Sequence, residues 1–457
     1  MEAITTAGWV AGAVSGSELV GSPSTGITEV CTDARKAAPG SLFVGLKGER
    51  FDGTDFAPDA VANGASAVLV SRRIDCPGVA QIIVPDTGRA FCESAAAWRR
   101  RFPIPVISVS GSNGKTTTTQ MTASILRAAY GEDGFLATRG NFNNSVGVPI
   151  TLWRLRAGHR AAVVESGMSH RGEMKELAAM IQPTVAVITN AQREHQEFLP
   201  SVEATAEENA DSIRALPEGG AAVFPADDAC AGIWRKAAGS RRVLTYATRP
   251  GVRADLTAEV LSLGSTTEVR MDTPAGSAMV RLGIAGAHNG HNALAAAAAA
   301  IAAGLPLEAV VRGLQDFEPV ARRGVRHELR PGLLLIDDTY NANPDSMRAG
   351  IDVLAASDGP RLLIAGDMGE VGAKGPEYHA EVGLYAREKG IDALLACGGL
   401  MENTCRAFGA GARHFDTLER LCAEAKEAAR AMKGGTILVK ASNFMHFDMV
   451  VKALLEA

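Results

Sequence analysis

The chain has 457 residues, 46% hydrophobic and 21% charged, with 46 Lys plus Arg against 51 Asp plus Glu and a formal net charge of −5. That composition excludes a wholly disordered chain, and the mildly acidic balance gives no global footprint for nucleic acid. The length is about three times the commonest domain size, so roughly two to four domains are expected. Forty-nine glycines with only 5% aromatics suit an α/β enzyme rich in tight turns. The seven cysteines form no C-x-x-C pair and read as free thiols of a reducing compartment. The start MEAITTAGWVAG shows no basic region followed by an apolar run. The most apolar stretch, Ala293 to Val311, is mostly alanine, broken by Gly304, Pro306 and Glu308, and reads as a buried helix. The expectation is a cytoplasmic protein with no membrane span.

Three blocks follow in chain order: residues 1–85, 86–317 and 318–457. The first carries short β-like pieces at 42–46, 67–70 and 81–84, and predicts a small mixed α/β domain. A helix is predicted over 89–101. In the second block, short apolar runs at 106–110, 161–165, 185–189 and 221–224 read as buried strands with helices between them. A mainly parallel sheet with helices on both faces is expected. The third block alternates strands at 333–336, 361–365, 393–396 and 436–439 with helices at 346–356, 378–389 and 418–433. That pattern predicts a Rossmann-like, doubly wound sheet.

The strongest chemical signal is Gly111-Ser112-Asn113-Gly114-Lys115-Thr116-Thr117, between a strand and a helix running to about Tyr130. Glycines let backbone N–H groups close around phosphate oxygens, the helix N-terminus adds positive potential, and Lys115 adds a charge. The loop is a shortened G-x-x-G-K-T-T form, because Val109 stands where the strict phosphate loop has glycine. Glu165 ends one strand and His195 follows another, so both should face the crevice beyond the strands' carboxyl ends. A carboxylate there suits Mg²⁺, whereas imidazole is less usual for a hard cation. Taken singly, Glu165 also reads as a solvated carboxylate and His195 as a surface histidine. Gly286-Ala287-His288-Asn289-Gly290-His291-Asn292 opens the alanine-rich helix and also reads as a helix cap. Asp337-Asp338-Thr339-Tyr340-Asn341-Ala342-Asn343-Pro344 ends a strand with more polar chemistry than a turn needs.

These motifs, in this order, resemble the ATP-dependent Mur ligase family over nearly the whole chain. Supporting segments are Thr32-Asp33-Ala34-Arg35, the Gly140–Pro149 segment with Asn144, and Gly366-Asp367-Met368-Gly369-Glu370. The resemblance implies a three-domain ligase. Its first domain would hold the UDP end of UDP-N-acetylmuramoyl-tripeptide through residues such as Thr32, Asp33 and Arg35. The central domain would hold ATP on Gly111 to Thr117, and the C-terminal domain would bring D-alanyl-D-alanine. Thr116, Glu165 and His195 would serve Mg²⁺. His288, Asn292, Arg323 and Asp338 would serve the nucleotide and the reacting acyl phosphate. Asn144, Tyr340, Asn341 and Asn343 would touch substrate. The catalytic set would be Lys115, Glu165, His195 and His288, in a monomer. Four positions depart from the family pattern. Asn209 stands where a carbamylated lysine is usual, Arg322 where glycine is common, Asn443 where arginine is expected, and Ala34 where serine is usual. Two rivals stand beside this reading: a tripeptide-forming or folylpolyglutamate-type ligase of the same superfamily, and a degenerate nucleotide-binding paralogue.

Overall fold

The computed structural model describes residues 2–263 and 266–456. Each block carries its own main sheet. In the first, the strands run in the order Glu18–Val20, Ala80–Ile83, Ala67–Val70, Ser41–Val44, Glu29–Cys31, parallel except for the first. A two-stranded pair, Thr5–Thr6 with Gly26–Ile27, lies beside it. The runs expected at 42–46, 67–70 and 81–84 are strands within a residue or two.

The central sheet has nine strands. Seven are parallel, from Leu256–Leu263 through Arg242–Ala247, Ala221–Pro225, Val185–Ile188, Val106–Ser110 and Ala161–Glu165 to Phe135–Ala137. Thr266–Thr273 and Gly276–Leu282 extend it antiparallel at one edge. These two strands, and the parallel strands Phe135–Ala137, Arg242–Ala247 and Leu256–Leu263, were not anticipated. Thr266–Thr273 alternates covered and wetter residues, a pattern that a search for buried apolar runs passes over. From Val106–Ser110 the chain goes first to one side of the sheet and then to the other. That reversal places a ligand crevice at the strand's carboxyl end.

The stretch expected as one buried helix is two, Ala287–Ala302 and Leu307–Gln315. The break falls where Gly304 turns at φ +87° and Pro306 lacks a backbone donor. Ala293 and Ala295 to Ala300 are completely buried. Their small side chains let this helix lie close against both the sheet and helix Lys115–Tyr130. At Gly313 a Cβ would come 2.3 Å from the Ile125 Cα, so the second helix crosses there only because the residue is glycine.

The C-terminal sheet runs Val325–Arg330, Leu333–Asp338, Gly435–Lys440, Arg361–Gly366, Ala393–Cys397, Ala412–Phe415. All neighbours are parallel except the first pair. Helices Pro344–Ala355, Gly375–Glu388 and Leu418–Ala431 match the expected segments closely.

The three blocks are joined in two different ways. The N-terminal and central blocks share one apolar core that includes Leu42, Leu69, Phe91, Trp98, Val106, Trp153 and Val164. Trp98 stacks on Trp153 at 5.1 Å and Trp9 meets both edge-on. The C-terminal block keeps its own cores on the two faces of its sheet. It meets the central block through the polar contacts described below. Among the described residues no helix is long and apolar enough to cross a membrane.

Candidate active site

A cavity of about 840 Å³ lies between the central and C-terminal blocks. Its size falls within the usual range for small-molecule sites. The phosphate-loop residues Ser112 to Thr117 form one wall, and Arg323, Asp338, Tyr340, Asn341 and Asn343 form the other. Glu165, His195, Asn144, His288 and Asn292 also line it. The structure thus gathers nearly every candidate around one space. Gly111 lies just behind the loop. Thr32, Asp33 and Arg35 are outside the lining, on the N-terminal block, where Asp33 pairs with the exposed Arg35 at 2.9 Å.

The loop is held from behind by hydrogen bonds. The Gly111 N–H donates to Asn209 Oδ1 at 3.0 Å, and the Asn209 amide donates to the Thr205 carbonyl at 3.0 Å. Asn209 is buried on helix Val202–Arg214. Its amide oxygen is therefore occupied in fixing the loop. The Asn113 N–H donates to Asn190 Oδ1, and Thr189 Oγ1 donates to the Asn113 carbonyl at 2.7 Å. Gly114 sits at φ +83°, and a Cβ there would meet Asn292 Oδ1 at 2.2 Å. Only glycine fits. Helix Lys115–Tyr130 starts directly after it with no side-chain cap, leaving its first N–H groups at the cavity wall. The Lys115 ammonium donates to the Gly111 carbonyl at 2.6 Å, the Ser112 carbonyl at 2.9 Å and Glu194 Oε2 at 3.3 Å.

Glu165 is almost fully buried. Its Oε1 accepts from the Asn143 amide at 2.7 Å, while Oε2 is buried with no hydrogen-bond partner. A buried, unpartnered carboxylate oxygen at a cavity wall is costly unless a cation or donor joins it. Among the described residues no cluster of three or more His, Cys, Asp or Glu could hold a metal by itself. A divalent ion here would therefore need oxygens from phosphate or water, as Mg²⁺ commonly does. The residues present fit such an ion. His195 adopts φ +48°; its Nδ1 contacts Glu370 of the C-terminal block, and its Nε2 is 3.8 Å from Glu194 Oε2. The hydrogen bond from His195 holds the Glu370 carboxyl below its ordinary range. Burial raises the Asp228 carboxyl, although it accepts from the Ala191 and Cys230 N–H groups.

On the opposite wall, the Arg323 guanidinium lies 3.9 Å from the centre of the Tyr340 ring. Lys440 donates to Asp338 Oδ2 at 2.7 Å and to the Asn341 carbonyl at 2.9 Å. Asn343 caps helix Pro344–Ala355. It also exchanges two amide hydrogen bonds with Asn113 of the phosphate loop, at 2.9 and 3.2 Å. Arg193 donates to both Asp345 and Glu381, with closest approaches of 2.7 Å. Tyr378 donates to Gln196 Oε1 at 2.8 Å.

Three family models match consecutive stretches: "Mur ligase family, catalytic domain" at 26–108, "Mur ligase middle domain" at 109–300 and "Mur ligase, glutamate ligase domain" at 321–443. A UDP-N-acetylmuramoyl-tripeptide–D-alanyl-D-alanine ligase from Escherichia coli is 40% identical over 440 residues, 96% of each chain. The chain belongs to the Mur ligase family. A Bacillus subtilis protein of the same name is 34% identical to this Mur ligase, over 95% of it and 94% of the relative. The crystal structure of MurF from Acinetobacter baumannii superposes on it with a TM-score of 0.92 at 34% identity, covering 99% of each chain.

Several residues of this Mur ligase's cavity escaped the reading of sequence. Asn143, Asn190, Gln192 and Glu194 line it beside motifs that were recognised. Lys440 reaches it from the last strand of the C-terminal sheet. Their signal was adjacency: polar side chains at the carboxyl ends of strands already assigned. Of the departures from the family pattern, Arg322 adopts φ +64° and donates to the Thr339 carbonyl at 2.7 Å. Asn443 is exposed at the start of a short 3₁₀ turn. Ala34 is buried in a small apolar cluster with Phe43 and Val68.

Proposed function

We propose that this Mur ligase joins D-alanyl-D-alanine to UDP-N-acetylmuramoyl-tripeptide, with ATP converted to ADP and phosphate. The observation that carries this reading is the resemblance of the whole chain to ligases of that name, together with a cavity walled by a phosphate loop and a second domain. In the first step the γ-phosphoryl group of ATP passes to the terminal carboxylate of the tripeptide, forming an acyl phosphate and ADP. In the second, the dipeptide amine attacks the acyl carbon, loses a proton, and phosphate leaves as the amide forms.

The chain's own groups serve these steps by position and charge. Gly111 to Thr117 and the uncapped helix start receive the phosphates. An entering phosphate draws the Lys115 ammonium from the loop carbonyls, and the lysine then neutralises the transferring charge. Thr116, Glu165 and His195 would hold Mg²⁺, whose chemistry there is to spread the charge of the phosphate oxygens. The occupied amide of Asn209 favours a loop-fixing role over metal binding. Asn292 and His288 flank the nucleotide side, with Arg323, Tyr340 and Asp338 opposite. Asn144, Asn341 and Asn343 approach the acyl and dipeptide groups. Thr32, Asp33 and Arg35 would meet the UDP end on the N-terminal domain. The domains are taken as 1–85, 86–317 and 318–457, in a cytoplasmic monomer.

The test is ADP release by the purified protein with ATP, Mg²⁺ and UDP-N-acetylmuramoyl-tripeptide, with and without D-alanyl-D-alanine. Release that needs both substrates, with a pentapeptide product by mass, is expected. Turnover with glutamate or a diamino acid instead of D-alanyl-D-alanine would reject the assignment.

A further inference from the structure

His195 and Glu370 belong to different domains, and both hold left-handed backbone angles, φ +48° and +56°. Such conformations are unfavourable for residues other than glycine unless the surroundings enforce them. Here they do. The His195 carbonyl accepts from the Phe198 and Leu199 N–H groups at 2.9 and 2.8 Å. The Glu197 N–H donates to the Glu370 carbonyl at 3.2 Å. At Gly372 a Cβ would lie 3.3 Å from the Glu197 Cα, so the two backbones run nearly in contact. The outcome is a carboxylate of the C-terminal domain set on Nδ1 of a histidine whose ring borders the cavity.

A histidine that binds metal through one ring nitrogen usually donates the other N–H to a carboxylate, which fixes its tautomer and orientation. With Nδ1–H given to Glu370, the lone pair of Nε2 is left for the cavity that Glu165 also lines. We propose that Glu370 is a positioning residue: it completes the central domain's metal site from the C-terminal domain, so that the site reaches full affinity only when the two domains meet. This rests on the assignment of Glu165 and His195 to a divalent ion. Glu370 itself touches neither metal nor substrate.

The experiment is Mn²⁺ binding, followed by electron paramagnetic resonance, to the full chain with a non-hydrolysable ATP analogue. Glu370→Ala should weaken binding by about tenfold or more, the range seen when a carboxylate behind a metal-binding histidine is removed. Glu370→Gln keeps an oxygen that can accept from Nδ1–H and should bind within about threefold of the unaltered chain. The Glu370 side chain is 47% exposed, so truncation leaves no buried void. Glu370→Asp, one methylene shorter, should show the same loss as alanine and carries the test if the alanine variant fails to fold. Equal Mn²⁺ affinity in the unaltered, Ala and Asp proteins would overturn the proposal. So would absence of nucleotide-dependent Mn²⁺ binding in the unaltered chain, which would remove the metal assignment as well. Weakened binding in a protein that makes no pentapeptide would support the positioning role and reject only the substrate assignment.

Discussion

Lys115 and Asn209 act on the same loop from opposite sides. The lysine side chain rests on carbonyls that a phosphate can replace, so Lys115→Ala should leave the fold intact. In the proposed role its loss would remove charge stabilisation at the transferring phosphoryl group. We expect ADP release to fall by about 10²–10³-fold in a chain that still folds; unimpaired turnover would refute the role. Asn209→Ala should do the reverse. It leaves the buried Gly111 N–H without an acceptor, which costs about 1–3 kcal/mol of stability. Denaturant unfolding would reveal that loss. The loop was legible because glycines, lysine and threonines sit between a strand and a helix. The duty of Asn209 was not, because its partner is 98 residues away in the chain. Glu194 was missed for the same reason: its lysine partner is 79 residues away.

At the scale of elements, helix Gly375–Glu388 is anchored by His379. Its Nδ1–H donates to the Gly375 carbonyl at 2.7 Å, and its Nε2 accepts from the Met368 N–H at 3.0 Å. The second bond requires the neutral ring, since a protonated Nε2 has no lone pair to accept with. Burial lowers its pKa below the ordinary value of 6.5. Below that value the unfolded chain takes up a proton that the fold refuses, so stability must fall as pH drops. A slope of at most about 1.4 kcal/mol per pH unit is expected from this group. Thermal melts between pH 7.5 and 5 should show it, and His379→Gln should flatten it. Elements with both faces buried were the readable ones, such as Val106–Ser110 and Ala161–Glu165, where every residue is covered. The central sheet's antiparallel edge was hidden because Thr266–Thr273 mixes charged and apolar residues along one half-wet strand. The alanine-rich segment was legible as buried, but one helix was expected across Gly304 to Pro306, where the chain turns between two.

For the whole molecule, the contrast between junctions governs motion. An apolar core shared by the first two domains cannot part without exposing tryptophans to water. The third domain meets the second through groups that water can solvate equally well, the kind of interface across which domains move. Arg193 is the centre of that interface, and hydrogen bonds to charged partners of this kind contribute about 1.5–3 kcal/mol. Arg193→Ala should therefore favour an open arrangement. Small-angle scattering with an ATP analogue bound should give a larger radius of gyration than the unaltered chain, and the KM for D-alanyl-D-alanine should rise. An identical radius in both proteins would show that Arg193 does not hold the domains together.

The reciprocal amide pair between Asn113 and Asn343 has a consequence for the order of events. If the loop grips phosphate as proposed, it is also a surface on which the C-terminal domain rests, and ADP would leave from beneath its own lid. Escape would then require that domain to swing away through solvent, a motion that can limit turnover. If that swing limits turnover, adding sucrose should slow the steady-state rate in proportion to viscosity while sparing the first turnover. The pace of such an enzyme would be set by drag on a hinged domain, not by the chemistry the domain encloses.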